Sequence, residues 1–169
     1  DITGTAKAKY LNSPDTIVFK KGSEFFGLYQ ARTEIAKYSK AYLVEGQFDV
    51  MSFSQNGIRN VICKSGSALD AVQVKRLRSL AENVTLVYDD DKAGIHAAVS
   101  QIPVLLDAGI NVRCVMLPEG QDPDDFARAN TGQIREKMKS MEMGFVTYLY
   151  EKLYRLAADE PGREAALKT

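Results

Sequence analysis

From residue 41 to residue 116 the chain alternates short apolar runs with amphipathic stretches, and this restricts the possible folds more than any other feature. Residues 41–45 (Ala-Tyr-Leu-Val-Glu) read as a strand, and 48–56 as a helix stopped by Gly57. Residues 60–63 form a second predicted strand, followed by the loop Ser65-Gly66-Ser67. A helix is predicted over 70–81 with Val72, Leu77 and Leu80 turned inward. Residues 84–88 are a third strand, 93–107 a helix ending at Gly109, and 111–116 a fourth strand. Short apolar strands separated by single helices call for a parallel sheet covered on both faces, because parallel neighbours need a crossover and right-handed crossovers accept one helix with short turns. The expected class is α/β, with a central parallel four-stranded sheet flanked by helices.

The flanks differ. Residues 1–16 lack periodicity and read as an extended arm. Ile17-Val18-Phe19 leads into the turn Lys20-Lys21-Gly22. A helix is expected from Ser23, its N-cap, with Phe25, Phe26, Leu28, Tyr29, Arg32 and Ile35 at helical spacing and an end near Ser39. Beyond Pro118 the pattern is helical only, over 122–129, 132–141 and 145–158. The last helix carries a Phe145–Leu149–Leu153 stripe, with Glu151 and Lys152 off it. At 169 residues one self-supporting core is possible. No apolar run approaches the roughly 20 residues that span a bilayer, and the start does not resemble a signal peptide. Cys63 and Cys114 each sit inside an apolar run, which reads as two reduced core thiols and a cytoplasmic protein. The first residue is Asp1 rather than Met, as expected of a segment cut from something longer.

Charge is balanced overall but not along the chain. Residues 1–40 hold seven Lys or Arg against four acids, whereas 86–125 hold eight acids against Lys92 and Arg113. The acids fall at strand ends: Glu45 closes the first strand, Asp89-Asp90-Asp91 follows the third, and Asp122-Pro123-Asp124-Asp125 follows the fourth. Open parallel sheets bind ligands beyond the carboxyl ends of their strands. Residues two apart in extended chain face the same way, so Asp89 with Asp91, and Asp122 with Asp124, form pairs. Two carboxylates about 4 Å apart repel by roughly 4 kcal/mol at an effective dielectric near 20. A hard divalent cation removes that penalty, and Mg²⁺ favours a few carboxylates completed by water and phosphate. The competing explanation is that these acids cap helices and line solvated turns, which is preferred for Asp70, Asp107 and Asp125. No Cys/His cluster has zinc spacing. His96 reads as a surface or half-buried residue, and Gly66 serves a phosphate approach and an ordinary tight turn equally well. Receiver-type and haloacid-phosphatase folds also place an Asp at a strand end, but they use a later Lys turn where this chain has Asp-Pro-Asp.

Three motifs, Val44-Glu45-Gly46-Gln47-Phe48-Asp49-Val50, Tyr88-Asp89-Asp90-Asp91-Lys92-Ala93-Gly94 and Leu117-Pro118-Glu119-Gly120-Gln121-Asp122-Pro123-Asp124, resemble the TOPRIM core of bacterial replicative DNA primase, the DnaG type. Lys9 to Thr16, Phe19 to Gly22 and Gly27 to Tyr29 resemble the segment that leads into that core. The tail from Gly144 resembles the start of the helical end that follows it. The resemblance implies three parts: 1–40 as the end of the amino-terminal half of the polymerase domain, 41–130 as TOPRIM, and 131–169 as the start of the helical subdomain. It implies RNA primer synthesis on single-stranded DNA from ribonucleoside triphosphates in the bacterial cytoplasm, at the replication fork, with Mg²⁺ or Mn²⁺, two or more ions, and no zinc in this segment.

Carried over by position, Glu45 matches the metal-proximal glutamate and general base, Asp89 and Asp91 the Asp-x-Asp metal pair, and Asp122 and Asp124 the late acidic pair. Lys9, Asn12, Lys20 and Lys21 fall where template or nucleotide is met, and Lys64 and Lys92 are further candidate phosphate contacts. The middle of Asp-x-Asp, usually Gly, is Asp90 here and adds charge. The loop usually reading Ser-(Leu or Ser)-Gly-Thr is Lys64-Ser65-Gly66-Ser67. The zinc module, the first half of the polymerase domain and the helicase-binding tail of the family have no counterpart in the segment, so helicase contact would run through a domain outside it. Alternatives within the fold are a non-catalytic nucleic-acid-binding module of the recombination-mediator kind and a TOPRIM nuclease.

Overall fold

A computed structural model describes residues 14–17, 19–20, 22–64 and 69–159, with side chains described as far as 154. The elements in chain order are β1 (Phe25–Phe26), α1 (Leu28–Tyr38), β2 (Lys40–Val44), α2 (Gln47–Gln55), β3 (Val61–Lys64), α3 (Ala71–Arg78) and β4 (Asn83–Val87). They continue with α4 (Lys92–Asp107), β5 (Asn111–Val115), α5 (Pro123–Ala129), α6 (Ile134–Met141), β6 (Glu142–Gly144) and α7 (Phe145–Asp159). Among the described residues the strands form one sheet in the order β1–β3–β2–β4–β5–β6. The four central strands are parallel, as expected, while β1 and β6 are short antiparallel edges.

Strand alternation sorts the core into two layers. Ala41, Leu43, Ile62, Val84, Leu86, Val112 and Cys114 face one side, where α1, α3, α4 and α7 supply Ile35, Leu77, Leu105 and Tyr148. Tyr42, Val44, Val61, Cys63, Val87 and Val115 face the other, packed by Val50 and Phe53 of α2, Phe126 of α5 and Met138 of α6. Both cysteines are buried free thiols, pushed up to about 12 by burial first of all.

The structure corrects four details. Phe25 and Phe26 are not helical: they pair with Lys64 and Cys63 on the sheet edge. The chain then turns at Gly27 (φ 84°), where a Cβ would stand 2.8 Å from Val50 Cγ1, so α1 starts at Leu28 rather than after Ser23. The Asp70 cap, whose side chain accepts from the Gln73 N–H while Gln73 returns a bond to the Asp70 N–H, sets the phase of α3. That phase buries Val74 and Leu77 and leaves Val72 exposed.

The region after Pro118 is not purely helical. Residues 142–144 add to β5 because Glu142 meets Lys40 Nζ and Thr85 Oγ1, both at 2.6 Å, with Arg113 Nε at 3.4 Å. Burial alone would push the Glu142 carboxyl up, but the Lys40 and Thr85 hydrogen bonds and the Lys40 and Arg113 charges hold it below the usual carboxylate range. Finally, the inward stripe of α7 includes Tyr148 and Lys152, and Leu153 is exposed.

Two substitutions test the layering. Phe53→Ala should destabilise the fold by about 3–5 kcal/mol through an unfilled cavity, and Leu153→Ala by no more than about 0.5 kcal/mol. Urea denaturation of both variants measures the difference; equal losses would contradict the assignment of faces.

Candidate functional site

Strand β2 hands its connection through α2 to β3 on one side, whereas β4 hands its own through α4 to β5 on the other. The two adjacent strands run in register, Val44 opposite Val87, and their connections depart in opposite directions just beyond that pair. The crevice left there is the topological switch point of an open α/β sheet. Glu45 follows Val44, and Asp89 lies two residues beyond Val87, so both enter that crevice from the backbone register alone.

Each acid has a local reason for its position. Asp91 caps α4, its Oδ1 accepting the Gly94 N–H at 2.7 Å. Asp122 caps α5, with Oδ1 accepting the Asp125 N–H at 2.7 Å and Pro123 in the first turn. Thus the capping explanation and the ligand explanation apply to the same two residues. Gly94, packed under Glu45, has space only for hydrogen: a Cβ would collide with the Asp89 carbonyl and stand 2.8 Å from Glu45 Oε1. Asp124 receives two bonds from Arg128, Nε to Oδ1 and Nη2 to Oδ2, both 2.9 Å, and a third from Ser52 Oγ of α2. Although partial burial opposes it, those bonds and the Arg128 charge hold the Asp124 carboxyl below its ordinary range.

The remaining acids feel one another. Burial, then Asp89, and also Asp91, push the Glu45 carboxyl up to about 7. Burial followed by Asp91 and Asp122 raises Asp89. Asp49, in the first turn of α2, is raised to about 6 by burial and by Asp89, Asp122 and Asp124, although the Gly46 N–H donates to its Oδ2 at 2.7 Å. Glu45, Asp89, Asp91 and Asp122 feel one another because all four follow the carboxyl ends of neighbouring parallel strands and so lie on one rim. Asp49 belongs with them, a residue that sequence spacing alone does not mark as a site candidate. Its Gly-x-x-Asp spacing signals only a carboxylate that caps the turn after Glu45.

The basic candidates divide. Lys64 ends β3 half-buried beside Glu45; burial lowers its pKa and the Glu45 charge opposes that fall. Lys92 is exposed on the first turn of α4, where the helix dipole offers a cation no stabilisation. Lys20 is exposed, its carbonyl accepting the Ser23 N–H. Lys9, Asn12, Lys21 and the Ser65-Gly66-Ser67 loop lie outside the described residues. His96 lies on an exposed helix face. A 330 Å³ cavity bounded by Phe26, Ala31, Val50 and Met51 lies on the flank of the sheet and holds none of the carboxylates.

The donor set suits a hard divalent cation. Glu45 Oε1 is buried without a hydrogen-bond partner, and the charges of neighbouring carboxylates oppose the ionisation of Glu45 and Asp89. Among the described residues no group of three or more His, Cys, Asp or Glu side chains forms a cage that could hold a metal ion. Mg²⁺ needs no such cage, since one or two carboxylates with water and phosphate satisfy it.

Residues 42–127 match the family model described as Toprim-like, and residues 1–32 match that of the DNA primase catalytic core, N-terminal domain. The chain belongs to the Toprim-like family. It is 48% identical to the DNA primase of Aquifex aeolicus over 71% of this chain and 24% of that protein. The RNA polymerase domain of Mycobacterium tuberculosis primase DnaG superposes with a TM-score of 0.78 at 30% identity, covering 97% of this chain and 54% of that one. A DnaG primase catalytic domain bound to single-stranded DNA superposes with a TM-score of 0.73 at 32% identity, covering 95% of this chain and 52% of that one. The chain thus spans about a quarter of the length of the curated primases it matches. Among the described residues no helix is long and apolar enough to cross a membrane.

Two measurements probe the rim. In cation-free protein, Glu45 and Asp49 bind their protons more tightly folded than unfolded, so the folded state loses stability as pH rises from about 4 through about 7. Asp124 and Glu142, shifted the other way, are already ionised across the upper part of that window and do not offset the loss. The melting temperature should therefore be lower at about pH 7.5 than at about pH 5, and Glu45→Gln should flatten the slope. A slope unchanged in Glu45→Gln would remove Glu45 from the coupled set. Separately, Gly94→Ala should cost about 1–3 kcal/mol and displace Glu45, read by thermal melting and by the shift of the Glu45 titration in carboxyl NMR.

Proposed function

We propose that this Toprim segment is the catalytic core of a bacterial DNA primase, transferring nucleotides from ribonucleoside triphosphates to build an RNA primer on single-stranded DNA. The observation that carries the proposal is the meeting of Glu45, Asp89, Asp91 and Asp122 at the switch point in a chain whose relatives are DNA primases. The named relative seen with single-stranded DNA supports the template class.

Each residue then has a task. Asp89 and Asp91 present carboxylates from the β4–α4 loop, and Asp122 with Asp124 flank them from α5. Bound Mg²⁺ or Mn²⁺, two or more ions, would supply charge stabilisation at the attacking and leaving oxygens of phosphoryl transfer. Glu45 is the general base for the 3′-hydroxyl: Oε1 has no competing hydrogen bond and can take the proton. Asp49 fixes the turn that carries Glu45 by holding the Gly46 N–H. Lys64 and Lys92 border the rim as phosphate contacts, and the arm with Lys9, Asn12, Lys20 and Lys21 meets template or nucleotide. The three-part division at residues 40 and 130 follows the same reading. The replicative helicase would be met by a domain outside this segment, at the replication fork in the bacterial cytoplasm.

Primer synthesis from ribonucleoside triphosphates on a single-stranded template, assayed with the full-length protein that carries this segment, should fall by at least about 100-fold in Glu45→Gln. In the segment itself Mg²⁺ or Mn²⁺ should raise the melting temperature, and Asp89→Asn should abolish the rise. Undiminished synthesis in Glu45→Gln refutes the general-base role, and metal-dependent cutting of plasmid DNA without synthesis would favour a nuclease.

A further inference from the structure

Asp90 is set apart from its two neighbours. Asp89 and Asp91 belong to the coupled rim, whereas the Asp90 side chain is 8% exposed and forms an ion pair with Lys152 Nζ. The chain bends at Asp90 and Asp91, and the middle side chain goes the opposite way from the rim. Here the opposite way leads under the β4–α4 loop, toward α7, which packs on β5, β6 and α4. Lys152 is 2% exposed and its Nζ lies 5.6 Å from the ring centroid of Tyr148, itself buried in the core layer beneath β5.

A buried pair of this kind is a poor source of stability, because desolvating both charges cancels most of their attraction. An apolar residue at 152 would cover the sheet as well. What a charge there supplies is orientation. The loop is held at Asp91 by the Gly94 N–H and at Asp90 by Lys152, and Asp89 is carried between that hold and the end of β4.

Resting on the reading of the rim as a cation site, we infer that Lys152 is a positioning residue of that site: by holding Asp90 beneath the loop it keeps the middle carboxylate off the rim and sets Asp89 and Asp91 to receive the cation. The C-terminal helix is therefore part of the site's support, and its Tyr148 also feels the Glu45 charge. Residues outside a metal's direct ligands that orient those ligands commonly govern affinity in this way.

The test is Mn²⁺ binding to the full chain, followed by electron paramagnetic resonance of the free ion, at a temperature where circular dichroism shows every variant folded. Lys152→Met should weaken binding by about tenfold, Lys152→Arg should bind close to wild type, and Asp90→Asn/Lys152→Met should be no weaker than the weaker single variant. A Lys152→Met protein with a lower melting temperature but unchanged affinity would reduce Lys152 to a packing residue and overturn the inference. Tighter binding in Lys152→Met would overturn it too, by showing that a released Asp90 serves as a ligand. If Lys152→Met does not fold, Asp90→Asn takes its place: weakened binding in Asp90→Asn that Lys152→Arg does not share supports the inference, and unchanged affinity refutes it. Absence of Mn²⁺ binding by the unmutated chain is a separate result, and it refutes the reading of the rim itself.

Discussion

Carboxylates crowded at the carboxyl edge of a parallel sheet are the constraint around which this molecule is arranged. Glu45, Asp49 and Asp89 are each raised by burial and by their neighbours, so the folded state carries an unfavourable electrostatic term at neutral pH. Such a term survives only where other interactions determine the backbone. Here they are the β2–β4 ladder, in register from Lys40 with Asn83 to Val44 with Val87, and the two buried layers that clamp it. Function-bearing strain of this sort is placed at strand ends because the sheet behind them is rigid.

The local chemistry that forms the helices also builds the rim. Asp91 and Asp122 satisfy N–H groups that a helix start leaves open, each through its Oδ1. Capping therefore fixes the place of the same side chains that the proposed cation site uses. Asp124 differs: bound by Arg128 and Ser52, it ties α5 to α2 and brings that pair of helices against the rim from one face. On the other face Asp90 ties the same rim to α7 through Lys152. The acidic edge is thus gripped from both layers of the sandwich, which gives a physical reason for a Toprim sheet to be followed by helices that pack back on it.

Edges are where sequence periodicity lost its value. Two-residue β1 and three-residue β6 are too short to show alternation, and each exists because a central strand left an open edge. Phe25 and Phe26 satisfy helical spacing as well as they satisfy a strand, and the left-handed turn at Gly27 decided between them. Sequence places Lys152 outside the apolar stripe because a lysine ordinarily seeks water. Its partner, sixty-two residues earlier in the chain, left no local trace.

Sequence alone determined the four parallel strands, the helices between them, the two buried thiols and the arrival of three acidic groups at one edge, because periodicity and strand order are local properties that a parallel sheet converts directly into position. Tertiary structure decided which acids couple, that Asp49 joins them, that Asp124 is held by Arg128, and that Asp90 turns inward. Those outcomes depend on distances and burial between residues remote along the chain, and a carboxylate's burial and neighbours are set only when the layers close around it.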